Sequence, residues 1–393
     1  MAEDVSNVNP IDQGSENQLV NKALSRLPAP NITGLKLEGD IQLGGLLLNT
    51  IDDNNVVWVC TDLDGWWNLP DSETPDLPRG WGDGSYDARG RYAARLITLT
   101  GEFLTQDPDQ VEQARQDLIK AIDLVYDSVN LTVAEKPVTK TSIVRLEGRP
   151  QIATVSARGR TQFSIGLKAP DPIKYEFLEP IVATPTGAAP STPSSGSVTY
   201  TTSEAHGFVV NQSVTIVGSS VAGYNGTFLI SAIPTTTTFV VSNSTTGTET
   251  WSSASATMFE DGYRVKKIAT TVETEFNNAG NTKTPVIIEL TGPIPGGSVA
   301  TITNKITDVL FGTETEETIT IVKAVPDGST LEIDTLNREA VLVTGSTVEN
   351  GRSYISTLSS WFFIQPDSKA ANDITFTSST GSCKVFYRSG WIG

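Results

Sequence analysis

Few residues in this sequence are of the types that catalyse reactions or bind metals. The chain has one histidine, His206, and two cysteines, Cys60 and Cys383, which lie far apart. A Ser–His–Asp triad needs a histidine beside its nucleophile, but His206 precedes Gly207 at the end of a Thr/Ser-rich strand, which favours a turn. One histidine and two remote cysteines cannot supply a four-ligand zinc site. We therefore predict no catalytic residue, no metal site, no cofactor and two buried free thiols, with a long-range disulfide as the alternative.

Phosphate-binding loops are also missing from the sequence. No Gly-x-x-x-x-Gly-Lys-Ser/Thr motif occurs, and the glycine-rich residues 80–84 (GWGDG) are not followed by a helix pattern. Pairs of carboxylates remain, since a glycosidase needs only two. Seven acidic residues crowd one loop: Asp62, Asp64, Asp71, Glu73, Asp76, Asp83 and Asp87. They lack the spacing of a calcium loop, which favours a solvated acidic surface over a cation site. With 45 acidic residues a carboxylate pair stays open, and a glycan hydrolase is the least favoured of the functions considered.

The charge balance limits the partners that the chain can bind. Its 45 acidic and 28 basic residues give a formal net charge of −17. Specific binding of nucleic acid needs clustered Lys and Arg, which argues against it here. An acidic wall repels phosphates and would let DNA slide past. No apolar run reaches transmembrane length, and the acidic N-terminus lacks a secretory signal, so we predict no membrane insertion.

The elements around these residues are mostly strands. Residues 61–103 begin with a stretch dense in Gly, Pro, Asp and Trp, which predicts an irregular loop pinned by Trp66, Trp67 and Trp81. We treat these three tryptophans as a candidate interface loop. One helix is predicted after Asp107 and Pro108, which suit its cap and first turn. Its apolar stripe is Val111, Ala114, Leu118, Ile122 and Val125.

Changes in composition divide the chain into five segments. We predict an N-terminal arm at 1–35, a first domain at 36–175 and a Pro/Ser/Ala/Gly-rich linker at 176–196. A small all-β domain at 197–258 is almost free of charge, with short alternating strands rich in Thr and Val. Residues 259–393 alternate strands and turns at the spacing of a β-sandwich.

Three parts of the predicted first domain resemble a known family. They are residues 65–71 (GWWNLPD), 84–87 (GSYD) and 97–101 (ITLTG). This pattern is similar to the distal tail proteins of siphophages, especially those of actinobacterial hosts. Near the other end, residues 281–292, 331–335 and 386–391 resemble that family's C-terminal domain. One departure is a longer loop at 366–371, where the family often has Pro-Gly. The small domain resembles β-modules scattered through phage structural proteins.

The resemblance implies a mainly β fold in three parts. A tail-tube-like β-barrel or sandwich with one α-helix would be followed by the small all-β insertion and a galectin-like C-terminal β-sandwich. It also implies a structural role: a virion protein of the tail tip or baseplate, assembled in the host cytoplasm as a homohexameric ring. The domain at 36–175 would form the ring, and the C-terminal domains would point outward. The ring would join the tail tube protein to the tail hub and tape measure proteins, and DNA would pass through without specific binding. Receptor-binding proteins or host-surface glycan are further partners that the resemblance implies.

A carbohydrate-binding accessory module is the alternative function. Tyr224, Trp251 and Trp361 are candidate residues for stacking on sugar rings, with core packing as the favoured alternative for each. Such a module would assist adsorption to the host.

Overall fold

The computed structural model describes residues 41–74, 77–81, 83, 85–86, 90–105, 110–122, 128–154, 159–190, 196–251, 254–259 and 262–393. The predicted arm at 1–35 lies outside them. The chain forms two compact units: the first comprises residues up to Lys174 together with Ile392 and Gly393, and the second runs from Tyr175 to Trp391. None of the described helices is long and apolar enough to cross a membrane.

The first unit is built from antiparallel strands and one helix. Its elements are β1 (Ile41–Leu43), β2 (Leu46–Leu48), β3 (Thr50–Ile51), β4 (Val57–Asp64), β5 (Ser72–Glu73), β6 (Leu77–Pro78), β7 (Ser85–Tyr86), β8 (Arg91–Tyr92), β9 (Arg95–Leu104), α1 (Gln110–Ile122), β10 (Val129–Val133), β11 (Lys140–Leu146), β12 (Gln151–Thr154) and β13 (Arg160–Ala169). Strand β14 (Lys174–Glu176) crosses the boundary between the units.

The main sheet of the first unit has the order β2-β1-β10-β11-β13-β9-β4-β3, with β12 added beside β13. Alternate residues of β9 and β13 face the core, as the period of two requires. Gly101 fits this core because a Cβ there would lie 2.4 Å from the Val59 carbonyl oxygen. Among the described residues no sheet closes into a barrel, so of the two predicted forms the sandwich is the one observed.

Helix α1 confirms the predicted amphipathic stripe. Ala114, Leu118 and Ile122 are buried in the core of the first unit, and Val111 packs against it. This is the face expected from spacings of three and four residues. The predicted cap at Asp107 and Pro108, and the last stripe residue Val125, lie outside the described residues.

The first part of the second unit is the small all-β domain. Its strands are β15 (Ile181–Ala183), β16 (Pro185–Pro190), β17 (Ser197–Thr202), β18 (Ser213–Val217), β19 (Gly226–Thr235), β20 (Thr238–Ser242), β21 (Glu249–Thr250) and β22 (Ser255–Met258), and a 3₁₀ turn spans Ala222–Tyr224. The order is β15-β22-β18-β19-β20-β17-β16-β21. Aromatic rings fill its core, with Tyr200 stacked on Phe239 at 5.2 Å between centroids.

The predicted linker at 176–196 is not an irregular connection along its whole length. Strands β15 and β16 lie within it and pair with β22 and β17 of the small domain. Proline has no backbone N–H to donate to a neighbouring strand. Strand β16 tolerates Pro185 and Pro190 because they stand at its two ends. Composition indicated a linker, but pairing with the small domain overrides that local preference. The remaining domain boundaries stay a prediction.

The rest of the second unit is a two-sheet sandwich. Its strands are β23 (Arg264–Ile268), β24 (Thr274–Phe276), β25 (Val286–Thr291), β26 (Ala300–Asp308), β27 (Glu314–Ile321), β28 (Ser329–Asp334), β29 (Glu339–Thr344), β30 (Thr347–Asn350), β31 (Ala370–Thr377), β32 (Ser382–Tyr387) and β33 (Gly390–Trp391), with a 3₁₀ turn at Arg352–Tyr354. The sheets have the orders β23-β32-β25-β28-β29-β30 and β24-β31-β26-β27. Inward-facing aliphatic and aromatic residues of both sheets form one core, as predicted for a sandwich.

Candidate functional site: the Trp66 loop

The loop that follows β4 begins at a position where only glycine fits. Gly65 has a φ of 81°, in the left-handed region, and a Cβ there would lie 2.0 Å from the Leu96 carbonyl oxygen. Its backbone N–H donates to the Asp64 carboxylate at 2.9 Å. The tight turn places Trp66 under the loop and Trp67 on its surface.

Trp66 is fully buried and is held by a carboxylate. Its indole Nε1 donates to Glu135 Oε1 at 2.7 Å. The second oxygen of Glu135 accepts from Lys140 Nζ at 2.6 Å. Lys174 Nζ donates to the Trp66 carbonyl at 3.0 Å, lies 3.6 Å from Glu135 and stands 4.9 Å from the centre of the Trp66 ring. A buried indole N–H needs such a partner, and Glu135 provides it.

Arg95 holds the backbone of the same loop. Its guanidinium is 1% exposed and donates to five carbonyl oxygens. Three belong to the loop, those of Gly65, Trp66 and Asn68 at 3.0, 3.2 and 2.6 Å. The others are those of Pro172 and Ile392, both within 3.1 Å. The fork of N–H donors on arginine suits this arrangement, and it satisfies loop carbonyls that would otherwise be buried without partners.

We call Arg95, Glu135, Lys140 and Lys174 the anchoring cluster. Burial lowers the pKa of Lys174 to about 8, although the negative charge of Glu135 acts in the opposite direction. Burial also lowers the pKa of Arg95, again against Glu135. Two buried cations and one carboxylate thus hold a loop of only a few residues. Burying charged groups costs free energy, which argues that the loop does more than connect two strands.

The outer side of the anchored loop is apolar. Trp67 is 50% exposed and Leu69 is 62% exposed. Large apolar side chains that protrude from a rigid loop are typical of anchors at protein interfaces. The loop therefore displays a small, preorganised apolar surface rather than a cavity for a small molecule.

The structure separates the three tryptophans of the predicted interface loop. Trp66 is buried, Trp67 is half-exposed, and Trp81 is 96% exposed with no ring contact among the described residues. The sequence interpretation missed Arg95 and Lys174 because charged residues are expected at the surface. A signal was present: Arg95 shares the inward parity of Ile97 and Leu99 in β9.

The three candidate sugar-stacking residues do not form one site. Tyr224 has no exposed surface, and its ring meets those of Tyr200 and Trp251 edge-on at 6.1 and 5.9 Å. Trp251 packs against the same core. Trp361 lies in the sandwich, where the Arg352 guanidinium stands 5.0 Å from its ring centre. Core packing accounts for Tyr224 and Trp251, and an intramolecular cation–π contact accounts for Trp361.

The residues considered for catalysis or metal binding are also dispersed. His206 is buried against the Phe208 ring, and its Nδ1 accepts the Phe208 N–H at 3.0 Å, a local turn contact. Cys60 and Cys383 are buried free thiols. In the acidic loop Asp62, Asp64, Asp71, Glu73 and Asp83 are exposed, whereas Asp76 and Asp87 lie outside the described residues. Within the described ranges no group of His, Cys, Asp and Glu is arranged to hold a metal ion.

Comparison with known proteins gives no match by sequence and distant matches by structure. No family model matches the chain, and no curated protein is similar to it. The Dit (gp 19.1) protein of phage SPP1, described as part of a hub adsorption apparatus in phages that infect Gram-positive bacteria, is similar with a TM-score of 0.43 and 11% identity over 84% of this chain and 93% of that one. A chain of the phage P2 baseplate in its activated conformation with Ca is similar with a TM-score of 0.36 and 10% identity over 86% and 93%. The same baseplate with Sr gives 0.37 and 12% over the same shares.

Proposed function

We propose that the protein is a structural component of a phage tail tip or baseplate rather than an enzyme. In this proposal it forms a hexameric ring that joins the tail tube to the tail hub and lets DNA pass. The observation that carries the proposal is the anchored Trp66 loop. Residues 65–69, which belong to one of the parts that resemble distal tail proteins, form an anchored loop with an outward apolar surface, which suits docking in an assembly.

The distribution of charge supports passage of DNA without binding. The net charge of −17 repels phosphate, and this repulsion is strongest at low ionic strength, where salt screens it least. The exposed Arg160 is already paired with Glu102 at 2.6 Å, which reduces its availability to a phosphate. A channel formed by such chains would offer DNA few sites at which to stop.

The proposed partners follow from the same role. The tail tube protein and the tail hub or tape measure proteins would contact the ring, and the exposed Trp67 and Leu69 are the residues we assign to such a contact. Receptor-binding proteins are further candidates. Binding of host-surface glycan has less support, because Tyr224 and Trp251 contribute their rings to the core of the small domain.

Electron microscopy of the purified full-length chain tests the proposal. We expect six-fold rings with a central hole, and localisation of the chain to the tail tip by immunogold labelling of virions. Trp67→Ser with Leu69→Ser should leave the fold intact and prevent incorporation into virions. Ile51→Ser, at a similarly exposed position of the first unit, is the matched control and should be incorporated normally. Labelling at the capsid alone, or normal incorporation of the loop variant, would contradict the proposal.

A further inference from the structure

Two connections join the small all-β domain to the rest of the second unit, and they lie side by side. The entry connection, residues 175–180, leads into β15, and the exit connection, residues 259 and 262–264 of the described chain, leads from β22 into β23. A Cβ at Gly262 would stand 3.6 Å from the Leu178 carbonyl oxygen, so the two connections touch. The small domain begins where Ile181 pairs with Met258.

An ion pair links the two connections. Glu176 of the entry connection accepts hydrogen bonds from Arg264 Nε and Nη2 of the exit connection, at 3.0 and 2.6 Å. One guanidinium thus binds both oxygens of one carboxylate, which is the strongest geometry for such a pair. The Arg264 and Glu176 side chains are only 23% and 10% exposed. Removing either partner would leave a largely buried charge without compensation.

Arg388, which follows β32 of the sandwich, links the connections a second time. Its guanidinium stands between the rings of Tyr175 and Tyr263, 4.6 and 4.2 Å from their centres. Its Nη2 also donates to the Tyr263 hydroxyl at 3.1 Å. Because one ring belongs to each connection, a single cation of the sandwich holds both. We call Tyr175, Glu176, Tyr263, Arg264 and Arg388 the clamp.

The small domain and the sandwich do not share an apolar core. Their buried apolar residues form two separate clusters, and Leu178 and Phe259 of the connections belong to the small-domain cluster. Strand β18 lies against β23, and the Gln212 side chain reaches the Tyr387 hydroxyl. Among the described residues, however, Gln212 Oε1 and the Ser213 Oγ are buried without a hydrogen-bond partner. Such groups cost free energy, which weakens this contact and leaves the clamp as the main specific link.

The charges of the clamp come from opposite sides. Residues 175–263 contain six acidic residues and no Lys or Arg. The two arginines of the clamp therefore lie outside the small domain, and the carboxylate and both aromatic rings lie on its connections. The position of the small domain depends on positive charge that only the sandwich supplies.

We propose that the clamp is a latch that fixes the small domain on the sandwich, and that opening it lets the small domain move as one body. The separate core and the pairing of β15 with β22 stay within the small domain when it moves. The two connections are then the hinge, since a few residues at the ends of elements can absorb such a motion. This latch goes beyond the proposed function and does not rest on it.

Distance measurement by pulsed EPR in the full-length chain tests the latch. Spin labels at Val221→Cys in the small domain and Val348→Cys on β30 occupy exposed positions, 42% and 65% exposed. The native Cys60 and Cys383 are buried and should stay unlabelled. We expect one narrow distance distribution with the clamp intact and a broad one after Glu176→Gln with Arg388→Met. A broad distribution with the clamp intact, or a narrow one without it, would overturn the proposal.

Matched variants separate the clamp from a general effect of charge. Glu179→Gln with Arg338→Met changes exposed residues of the same two types outside the clamp and should keep the distribution narrow. Glu176→Gln alone keeps every contact of Arg388, so it answers the question if the double variant fails to fold. It should still broaden the distribution, and an unchanged distribution in this variant counts against the latch.

Limited proteolysis with trypsin gives an independent measurement. Trypsin has no cleavage site at 175–263, so cleavage after Arg264 reports on the exit connection. Mass spectrometry should show this cleavage about tenfold or more faster in Glu176→Gln with Arg388→Met than in the wild type, as expected when a buried pair is broken. Cleavage after the exposed Lys323 is the internal standard and should proceed at the same rate in both. Equal rates after Arg264 would refute the latch.

Discussion

Lys174 allows the anchoring cluster to be tested by pH. We expect the wild-type protein to become more stable between pH 8 and 10.5, relative to the variant Lys174→Met. Burial places the pKa of this amine near 8 in the folded protein, against an ordinary value of 10.5. In that interval the unfolded chain binds a proton that the folded chain has lost, so the free energy of unfolding rises with pH. Stability from this group is thus present above pH 10.5 and is lost as pH falls through 8.

The size of the effect follows from the pKa difference. A fall from 10.5 to about 8 corresponds to about 3 kcal/mol, at ~1.4 kcal/mol for each pKa unit. The variant should still fold, because Glu135 keeps its contacts with Trp66 and Lys140, and the Trp66 carbonyl keeps Arg95. Methionine also retains most of the apolar stem of lysine.

Urea unfolding of both proteins at several pH values, followed by tryptophan fluorescence, measures this difference. Taking the difference between the two proteins is essential, because other groups titrate in the same range. Burial raises the pKa of Cys60 to about 12, so this thiol lowers stability as pH rises above its unfolded value of 9. That contribution is common to both proteins and cancels. A wild-type advantage that does not grow between pH 8 and 10.5 would refute the lowered pKa of the buried Lys174 amine.

Three further predictions follow from buried positions. Gly65→Ala should destabilise the first unit by about 3 kcal/mol or more, since the new Cβ would meet the Leu96 carbonyl oxygen; thermal unfolding measures the loss. Cys60 and Cys383 should not react with a thiol reagent at pH 8 until urea unfolds the chain, because burial raises the pKa of both thiols. Asn278→Ala should cost about 2–4 kcal/mol, because the buried amide bonds Thr282 and Ile364 carbonyls and two backbone N–H groups; urea unfolding measures it.

The two substitutions have matched controls in the same chain. Gly45→Ala adds a Cβ with nothing within 4 Å and should leave the melting temperature of the first unit unchanged. Asn277→Ala, at the exposed neighbouring position, should have little effect on unfolding. A loss at Gly45 as large as that at Gly65 would contradict the steric argument. Rapid thiol labelling of the folded chain would contradict the burial of the cysteines.

Periodic elements of this fold could be predicted from sequence, because the spacing of apolar residues within a short stretch of chain determines them. The stripe of α1 and the strands of the C-terminal sandwich follow from spacings of apolar residues. The anchoring cluster could not be predicted in the same way. Glu135 meets Trp66 across 69 positions, and Lys174 meets it across 108. No local rule brings such residues together, and charged side chains are ordinarily assigned to the surface.

The predicted linker is the opposite case, because its composition indicated less regular structure than is observed. Residues 181–190 are rich in the small residues and prolines that favour an irregular chain, and they form strands only because β17 and β22 offer them partners. Trp81 illustrates a third case. Its residue type predicted a buried ring that pins a loop, but Trp66 holds the contacts with Glu135 and Lys174, and Trp81 is almost fully exposed.

Many basic side chains of this acidic protein point inward or lie on aromatic rings. Arg95 and Lys174 are buried in the first unit, and in the second unit Lys266 is buried and Arg264 forms two hydrogen bonds with Glu176. Arg388 stands between the Tyr175 and Tyr263 rings, 4.6 and 4.2 Å from their centres. A cation held inside the fold contributes less to the field at the surface than an exposed one, while the exposed carboxylates keep their full effect. The carboxylates that pair with Lys174 and Arg264, those of Glu135 and Glu176, lie inside the fold as well. These pairs largely cancel, and the field at the surface follows the net charge of −17.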